Sequence, residues 1–407
     1  MTDRAFVAGV GMTAFTKPGD RTYPAMVAEA VNAALTDAGI GYQEVQRAAA
    51  GYVFQPSAAG QRALYGIGLT GIPIVNVNNN CATGSTALML ATEWVRAGLA
   101  DVALAVGFEQ MTRESMTGSG PAPQVSTIDR HLEVLRSARQ PALEPALEPD
   151  RAPPMAQFFG YAAAEHMARY GTTAEQLARV AVKNHEHSTR NPYAQFQHPL
   201  TLEQVLADKP VHGPLTRSQC SPISDGAAAA VIVSLRAVRA RALHDQAVEV
   251  VAQSMVTDTS GSFDGKSMID VVGAPMTRQA ATEVFAGSGH TIDDVDVIEL
   301  HDCFSVNELI TYEALGMCAP GEAGRLAEEG ATTYGGRWVV NPSGGLISKG
   351  HPLGATGLAQ CAELTWQLRG EAGARQVRGA RLGLAHNLGL GGACVVTLYR
   401  AAVPGLS

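Results

Sequence analysis

The chain has 407 residues, of which 46% are hydrophobic and 17% are charged, and this balance is typical of a folded globular protein with room for two or more packed units. Its formal net charge of −8 argues against broad binding of nucleic acid, because a phosphate backbone requires a basic surface. The six cysteines form no CxxC pair and no spacing typical of metal ligands, so we expect free thiols and no metal site.

No stretch of the sequence reaches the ~18 uninterrupted apolar residues that a membrane-spanning helix requires. The first residues, MTDRAFVAGVGMTAF, also lack the basic and apolar regions of a secretory leader. The sequence therefore predicts a cytoplasmic protein with no membrane span.

Strands and helices are predicted to alternate over the first part of the chain. The predicted strands are 5–12, 48–54, 73–77 and 101–106, and the predicted helices are 23–38, 62–69 and the run that follows Cys81. Alternation of this kind is typical of a mostly parallel sheet with helices on its faces. Ligands of such sheets gather at the carboxyl ends of the strands, which is where Cys81 is expected.

The alternation then stops for a long stretch that contains a proline-rich repeat, PALEPALEP at 141–149, which we expect to be exposed and irregular. Two helices are predicted there, at 155–170 and, capped by Thr172 or Thr173, at 173–186. His185 and His187 do not favour a metal site, because residues i and i+2 point to different faces of a helix.

The second half of the chain repeats the alternation. Strand 224–234 is expected to return to the first sheet, and it is followed by strands 248–255, 295–300, 382–385 and 394–398 and by helices 276–286, 306–315 and 358–369. We therefore predict an α/β protein with two similar halves and one insertion. The predicted units are an N-terminal half of residues 1–110 and 217–236, an inserted loop domain of residues 111–216, and a C-terminal half of residues 237–407.

The most distinctive stretch is NVNNNCATGSTAL, in which an apolar strand runs into three asparagines, Cys81 and a strongly helical sequence. A cysteine at the N-terminus of a helix faces exposed N–H groups, whose partial positive charge favours the thiolate. Cys81 is thus a candidate nucleophile. The alternative is a buried free cysteine with no chemical role.

Polar residues also follow the predicted strand 295–300, in the segment IELHDCFSVNEL. Ser305 can cap the helix that begins at residue 306, which would explain the polar character of the segment without a function. This explanation leaves His301 and Cys303 without a structural task, so we favour a functional role for both.

A glycine-rich segment, NPSGGLISKGHPLGATG, holds His351 between Gly350 and Pro352. Its five glycines and two prolines specify an unusual backbone path that regular structure does not require. A histidine on such a path suits a general base for Cys81 or a donor to a developing oxyanion. The alternative is a histidine in a surface loop.

A second glycine-rich segment, LAHNLGLGGACVV, carries Gly389, Gly391 and Gly392. These glycines allow main-chain N–H groups to approach a substrate closely, as they do in an oxyanion hole. A tight turn is the alternative, since a run of glycines is by itself weak support for a site.

Together these motifs resemble those of the thiolases, and within them the sterol carrier protein thiolase branch, also described as nonspecific lipid-transfer protein thiolases. The segments NNNCATGSTAL, SDGAAA, HDCF, NPSGGLISKGHPLGATG and HNLGLGGA occur in that family's order and approximate spacing. Other thiolases carry an NEAF-like segment in place of HDCF, and a cysteine where this chain has Asn387. The relocated cysteine, here Cys303, is typical of the branch.

The resemblance implies a thiolase fold, with two similar βα halves that form a layered αβαβα core and an inserted loop domain. It also implies that Cys81 takes the acyl group as a thioester, that His351 removes the Cys81 proton, and that Cys303 is the second acid/base. Two thiols fit this chemistry, because the carbon–carbon step requires an acid/base while the first thiol is occupied.

Two oxygen-binding sites are implied as well. His301 and His351 would bind the thioester oxygen of the enolate-forming unit, and the backbone N–H groups of Cys81 and Gly389 would bind the acyl-enzyme oxygen. The other residues that we expect to contact substrate are Asn387, Gly391 and Ser348.

The implied reaction is cleavage of a 3-oxoacyl-CoA by free CoA, or the reverse Claisen condensation, in the degradation of lipids, fatty acids or sterol side chains. Coenzyme A is a substrate, no bound cofactor takes part, and the subunits form a homodimer or tetramer. One alternative is a retro-aldolase subunit that acts on β-hydroxyacyl-CoA with a partner protein, although such relatives lack the nucleophilic cysteine. The other is a non-catalytic carrier of acyl-CoA or lipid, which requires no reactive residues.

Overall fold

The computed structural model describes residues 4–112, 128–138 and 152–401, so the predicted irregular repeat at 141–149 lies outside the described residues. The strands are Ala5–Met12 (β1), Arg47–Gly51 (β2), Ile74–Val77 (β3), Val102–Glu109 (β4), Pro210–His212 (β5), Leu215–Thr216 (β6), Gly226–Ser234 (β7), Val248–Val256 (β8), Val297–Glu299 (β9), Val339–Val340 (β10), Leu382–Gly389 (β11) and Ala393–Arg400 (β12). The helices are Tyr23–Ala38 (α1), Ala59–Leu64 (α2), Thr83–Arg96 (α3), Asp129–Ala138 (α4), Pro154–Tyr170 (α5), Ala174–Ser188 (α6), Leu202–Leu206 (α7), Leu235–Ala240 (α8), Gly261–Asp264 (α9), Met268–Val271 (α10), Ala274–Ser288 (α11), Ser305–Ala314 (α12), Ala323–Glu328 (α13) and Thr356–Arg369 (α14).

Ten of these strands form one mixed sheet in the order β10-β9-β11-β12-β8-β1-β7-β4-β2-β3. The outer pairs are parallel, whereas the pairs from β11 to β4 across the centre are antiparallel. The prediction of a mostly parallel sheet is therefore wrong. The error has a physical reason: β7 and β12 are covered by helices on both faces, so they show the continuous apolar sequence that is otherwise typical of buried parallel strands.

The two halves of the chain have the same strand order. The first half runs β1-β7-β4-β2-β3 outward from the centre, and the second runs β8-β12-β11-β9-β10. The two halves join where β1 pairs with β8, and Phe6 lies opposite Glu249 in this pair of strands. This repetition confirms the predicted pair of similar halves.

The size of the side chains on each face of the sheet determines how closely helices can pack against that face. On β4, Val102, Leu104 and Val106 pack with α1, whereas Ala103 and Ala105 face α3 and α14. Successive side chains of a strand point to opposite faces, so small alanines on one face leave room for two helices between the halves. The helices α11 and α12 cover the outer face of the second half. The layers therefore follow the predicted αβαβα order.

Helix ends follow local sequence signals in some places and tertiary contacts in others. α1 ends at Ala38, as predicted, and Gly39 after it adopts the left-handed conformation. Thr173, one of the two predicted caps, caps α6 and forms a capping box with Gln176. Ser305, however, is the first residue of α12 and not its cap, because its Oγ atom donates to Gln219 Oε1 at 2.8 Å. The predicted helix 62–69 is also displaced, since α2 has ended by Tyr65.

The N-termini of the two central helices, α3 and α14, meet where glycines allow close contact. A Cβ atom at Gly84 would lie 2.8 Å from the oxygen of Gly354, and one at Gly357 would lie 2.2 Å from Ser85 Oγ. Because Cys81 precedes α3 and His351 precedes α14, this contact brings the two residues together. Among the described helices, none is long and apolar enough to cross a membrane.

Candidate active site

Cys81 lies in the turn between β3 and α3, two residues before the first residue of the helix. Asn80 has a φ of +51°, and its side-chain amide donates to the oxygen of Leu390 at 2.8 Å. The hydroxyl of Thr83 donates back to the oxygen of Asn80 at 2.6 Å. These contacts fix the turn from both sides, so the half-buried Cys81 thiol is held in one place.

His351 follows a short π-helical turn, Gly345–Lys349, that wraps around the side chain of Asp302. The carboxylate of Asp302 accepts from the main-chain N–H of Leu346 at 2.7 Å and of Ile347 at 3.3 Å. Burial and the neighbouring Glu308 raise the pKa of the Asp302 carboxyl. Its main-chain contacts are N–H donors, however, and these suit the ionised form. Asp302 thus ties the glycine-rich segment to the end of β9.

Gly345 is the residue where this wrapping is tightest. We expect Gly345→Ala to lower the free energy of unfolding by about 3 kcal/mol, because alanine resists the φ of +59° and its Cβ atom would lie 2.2 Å from Asp302 Oδ2. Gly39→Ala is the matched control, since Gly39 has a φ of +62° and open space around it. Denaturant unfolding of both variants checks this, and equal losses would contradict a collision at Asp302.

His301 and Cys303 come directly after β9 and enter the same site. One side-chain atom from each of Cys81, His301 and His351 forms a group whose members lie within 4.8 Å of one another. The two imidazole rings are 5.0 Å apart at their centroids and nearly perpendicular. Cys303 is buried two residues beyond His301, and burial holds the pKa of its thiol well above the usual range. The predicted residues from three distant segments therefore meet.

Burial keeps these groups uncharged in the unliganded protein. Loss of hydration lowers the pKa of His351 to about 3 and holds that of His301 well below its usual range. Although Cys81 is half-buried, the protein around it raises the pKa of its thiol to about 12, and Glu109 adds to the rise. The expectation of a thiolate at rest is therefore wrong, because desolvation outweighs the partial charge of the helix. The site pairs a thiol with a neutral imidazole.

This protonation state predicts how Cys81 reacts with iodoacetamide. Since only the thiolate is alkylated, we expect the rate to rise about tenfold per pH unit between pH 7 and 10, without the plateau of an activated thiolate. Mass spectrometry of the Cys81 peptide measures this rate. The peptides that contain the half-buried Cys220 and Cys318 are followed in the same digests for comparison. A plateau below pH 8 would contradict the assignment.

The glycine turn between β11 and β12 lies against the Cys81 turn. A Cβ atom at Gly389 would come within 3.1 Å of the nitrogen of Cys81 and 2.1 Å of the oxygen of Asn79, so only glycine fits. Gly391 has a φ of +70° within the same turn. The backbone of residue 389 therefore packs directly against the Cys81 turn, and the oxyanion hole expected there stays a prediction.

Asn387 is fully buried, and neither its Nδ2 nor its Oδ1 atom has a hydrogen-bond partner within the described ranges. A Cβ atom at Gly357 would lie 2.6 Å from Nδ2, so the amide sits beside the N-terminus of α14. A buried amide without partners costs free energy unless a ligand or water satisfies it. This position suits the predicted contact with substrate.

Ser348 does not offer a free hydroxyl to the site. Its Oγ atom is 2.7 Å from Ser188 Oγ and 3.3 Å from His185 Nδ1, both on α6. The contact between Ser348 and substrate stays a prediction, and in the unliganded protein the hydroxyl braces the π-helical turn against α6. His187 contacts a different residue, Thr333, so it does not pair with His185.

Sequence reasoning missed the residues that hold the site from behind. The amide of Asn184, on α6, donates to Asp302 at 2.7 Å and to Glu308 at 2.9 Å. Glu109, at the end of β4, accepts from the N–H groups of Phe54 at 3.0 Å and Gly354 at 3.1 Å. No motif marks these residues, since their partners are remote in the sequence. The segment NPSGGLISKGHPLGATG did mark the turn that they support.

The group of Cys81, His301 and His351 also has the donor types that zinc prefers. Its free imidazole nitrogens and thiol are equally those of a nucleophile with a neutral base and a hydrogen-bond donor. The expected absence of a metal stays a prediction.

The sequence matches two protein-family models. Residues 5–236 match the N-terminal domain of thiolase, and residues 257–398 match the thiolase C-terminal domain-like family. Sterol carrier protein 2 of Bos taurus is 53% identical over 407 residues, which cover 99% of this chain and 73% of that protein. Acetyl-CoA acetyltransferase of Methanothermobacter thermautotrophicus is 38% identical over 97% of this chain and 98% of that enzyme.

Among solved structures, the Ltp2-ChsH2(DUF35) aldolase superposes with a TM-score of 0.81 at 25% identity, over 98% of each chain. The aldolase shares the fold, while the two family models together span both halves of the sheet and include Cys81, His301, Cys303 and His351. The chain therefore belongs to the thiolase family, in its sterol carrier protein branch.

Proposed function

We propose that this chain cleaves a 3-oxoacyl-CoA with free CoA, or runs the reverse condensation, with the acyl group carried on Cys81. The observation that supports this proposal is the convergence of a thiol and two neutral imidazoles within 4.8 Å, with the buried thiol of Cys303 two residues beyond His301 in the chain. The four groups come from three motifs that are distant in the sequence, and each group is in the protonation state that the reaction requires at its start.

In the first half of the reaction, Cys81 Sγ attacks the 3-oxo carbon while His351 takes the thiol proton. The carbonyl oxygen becomes an oxyanion that accepts from the main-chain N–H groups of Cys81 and Gly389. Collapse of this intermediate breaks the bond between C2 and C3 and leaves an acyl thioester on Cys81. The electron pair goes to C2 of the departing acetyl-CoA enolate.

In the second half, the enolate is protonated and the acyl group is transferred. His301 and His351 hold the thioester oxygen of the enolate, and Cys303 gives its proton to C2. The proton held by His351 returns to the Cys303 thiolate. The thiol of free CoA then attacks the acyl carbon and gives its proton to His351, which passes it to the departing Cys81 thiolate. The products are acetyl-CoA and an acyl-CoA shortened by two carbons.

Coenzyme A is proposed to enter through a cavity of about 620 Å³ that leads toward Cys303. Lys17 and Arg217 line this cavity and carry positive charge that suits a phosphate-bearing ligand, and Arg217 is also paired with Asp208 at 2.9 Å. Ser221, also in the lining, donates its main-chain N–H to the oxygen of Cys303 at 2.9 Å. The cavity thus adjoins the segment that carries the second thiol, which a pantetheine arm must reach.

A homodimer is proposed because β3 ends the sheet and exposes apolar side chains. Val75 is 41% exposed on this strand, and Phe54 nearby is 42% exposed. An unpaired strand edge favours pairing with a second copy. Pairing β3 with its counterpart would bury these side chains, and a tetramer would be a further association of such dimers.

We expect Val75→Lys to convert the dimer to a monomer, because a charge at the centre of the paired edge opposes burial. Light scattering during size-exclusion chromatography gives the mass of each species. Leu99→Lys, at a residue that is 56% exposed beyond the end of α3, should leave the mass unchanged. A Val75→Lys protein with the parent mass would contradict pairing through β3.

A cytoplasmic location is also proposed. All six cysteines are free thiols, which fits a reducing compartment. The acyl groups proposed as substrates are those of lipid degradation, namely fatty acids or sterol side chains, since the sterol carrier protein 2 relatives are similar over nearly the whole chain.

One experiment separates this reaction from the alternatives. The purified protein is incubated with 3-oxoacyl-CoA or β-hydroxyacyl-CoA, with and without added CoA, and the thioester products are identified by mass spectrometry. We expect two shorter thioesters from the 3-oxo substrate only when CoA is present. Cleavage of the hydroxy substrate without CoA would instead support a retro-aldolase, the chemistry named for the solved neighbour. Binding without turnover would support a carrier.

A further inference from the structure

We propose that Thr356 is a positioning residue that fixes the tautomer of His351, so that Nε2 of the ring is free to take the proton of Cys81. This inference rests on the proposed function, because it assigns a task to a residue behind the proposed base. Thr356 and His351 are both buried, and the distance from Thr356 Oγ1 to His351 Nδ1 is 2.7 Å.

The direction of this hydrogen bond follows from a second contact of the same hydroxyl. Thr356 Oγ1 lies 3.0 Å from the oxygen of Pro352, one helical turn earlier. A carbonyl oxygen can only accept, so the hydroxyl proton of Thr356 goes to Pro352. Oγ1 then accepts from His351, and Nδ1 carries the single proton of the neutral ring.

The other ring nitrogen is left with its lone pair. Burial keeps the imidazole neutral at physiological pH, since it lowers the pKa of His351 to about 3. Within the described residues, His351 Nε2 is buried and has no hydrogen-bond partner. A proton acceptor without a protein partner, in the group that contains Cys81, is what a general base requires.

A second residue fixes the main chain of His351. Its N–H donates to Ser224 Oγ at 3.0 Å, and Ser224 in turn donates to Gln195 Oε1 at 2.7 Å. Gly350 makes room for this contact, because a Cβ atom there would lie 2.8 Å from Ser224 Oγ. Ser224 comes from the SDGAAA motif and holds the backbone, while Thr356 holds the ring. With the backbone fixed, the choice of tautomer depends on the contact at Nδ1.

Removing the Thr356 hydroxyl changes that choice. A proton on Nδ1 would then be a buried donor with no acceptor, which favours the tautomer that carries its proton on Nε2. In that tautomer, Nε2 cannot accept the proton of Cys81. We expect Thr356→Val to slow acetyl transfer from acetyl-CoA to Cys81 by about ten- to a hundredfold, with little change in the affinity for CoA.

The test measures the rate of Cys81 acetylation by rapid-quench mass spectrometry, together with the Kd for CoA and the Tm of each variant. Thr356→Ser keeps the hydroxyl and should stay near the parent rate. Thr356→Ala differs from Thr356→Ser by one oxygen atom, and it should be as slow as Thr356→Val. Thr92→Val is the matched control, because the buried Thr92 donates to Leu88, also one turn earlier, at 2.9 Å.

The inference is supported if the parent and Thr356→Ser are acetylated fast, Thr356→Val and Thr356→Ala are acetylated slowly, and Thr92→Val keeps the parent rate. A parent rate in Thr356→Val overturns it, and so does a slow Thr356→Ser, since the loss would then come from altered packing. If Thr356→Val does not fold, the comparison of serine with alanine decides in the same way. A parent protein that is not acetylated would overturn the proposed function, and this inference with it.

Discussion

Replacement of Cys81 by alanine should abolish the mass increase of one acetyl group that acetyl-CoA leaves on the parent protein. We also expect turnover of 3-oxoacyl-CoA to fall by about 10⁴-fold or more, because the acyl group would have no covalent carrier. Cys81 is the only thiol in the group with His301 and His351, so no other cysteine can replace it there. Intact-protein mass spectrometry after brief exposure to acetyl-CoA measures the adduct.

Cys318→Ala is the matched control for this loss, since Cys318 is also a half-buried free thiol but lies outside the group. It should keep both the adduct and turnover. Because Cys81 lies in a turn and its side chain is half-buried, we expect Cys81→Ala to keep the parent Tm. An adduct that persists in Cys81→Ala would contradict the assignment of the nucleophile. Absence of an adduct on folded parent protein would favour the aldolase or the carrier.

Replacement of Cys303 by alanine should separate the two halves of the reaction. We expect acetyl transfer to Cys81 to continue near the parent rate, whereas carbon–carbon cleavage and condensation fall by about 10³-fold. The reason is chemical: acyl transfer between thiols requires only Cys81 and its base, but the enolate requires a proton donor at C2. Burial holds the pKa of Cys303 well above its usual range, so the thiol retains its proton until the enolate forms.

Rapid-quench measurement of the adduct, beside a thiolysis assay, distinguishes the two steps. Cys394→Ala is the control, because Cys394 is an equally buried thiol in β12 that contacts Thr277. It should leave both steps near the parent rates. An equal loss of both steps in Cys303→Ala would show that Cys303 acts on the site as a whole. Retention of both would exclude it as the second acid/base.

Local patterns were sufficient to predict several parts of the fold. The Gly39 end of α1 and the Thr173 cap of α6 depend on contacts within one helical turn, so the sequence displays them directly. The repeated alternation of strands and helices likewise predicted two similar halves. Whether neighbouring strands are parallel or antiparallel could not be predicted in this way. A strand that helices cover on both faces is apolar throughout, whichever way it pairs.

The candidate site shows the same division. The sequence was sufficient to single out four site residues, Cys81, His301, Cys303 and His351. Each follows a strand or lies in a glycine-rich segment, where the fold does not require a reactive side chain. The contacts of Ser348 with Ser188 and His185 could not be predicted, because both partners approach from α6. Ser305 was misjudged as a cap because its hydroxyl donates a hydrogen bond to Gln219, which is far from it in the sequence.

The sequence by itself determined which residue types the site contains. Each motif combines a reactive residue with the neighbouring glycines or strand end that positions it, so the motif can be recognised without the structure. The tertiary structure decided how those residues behave. Burial by distant segments made the Cys81 thiol and the His351 ring neutral, against the expectation of a thiolate at the start of α3. The close contact between the N-termini of α3 and α14, where glycines make room, brings Cys81 near His351. Desolvation and close packing depend on atoms that are remote along the chain, so only the folded molecule specifies them.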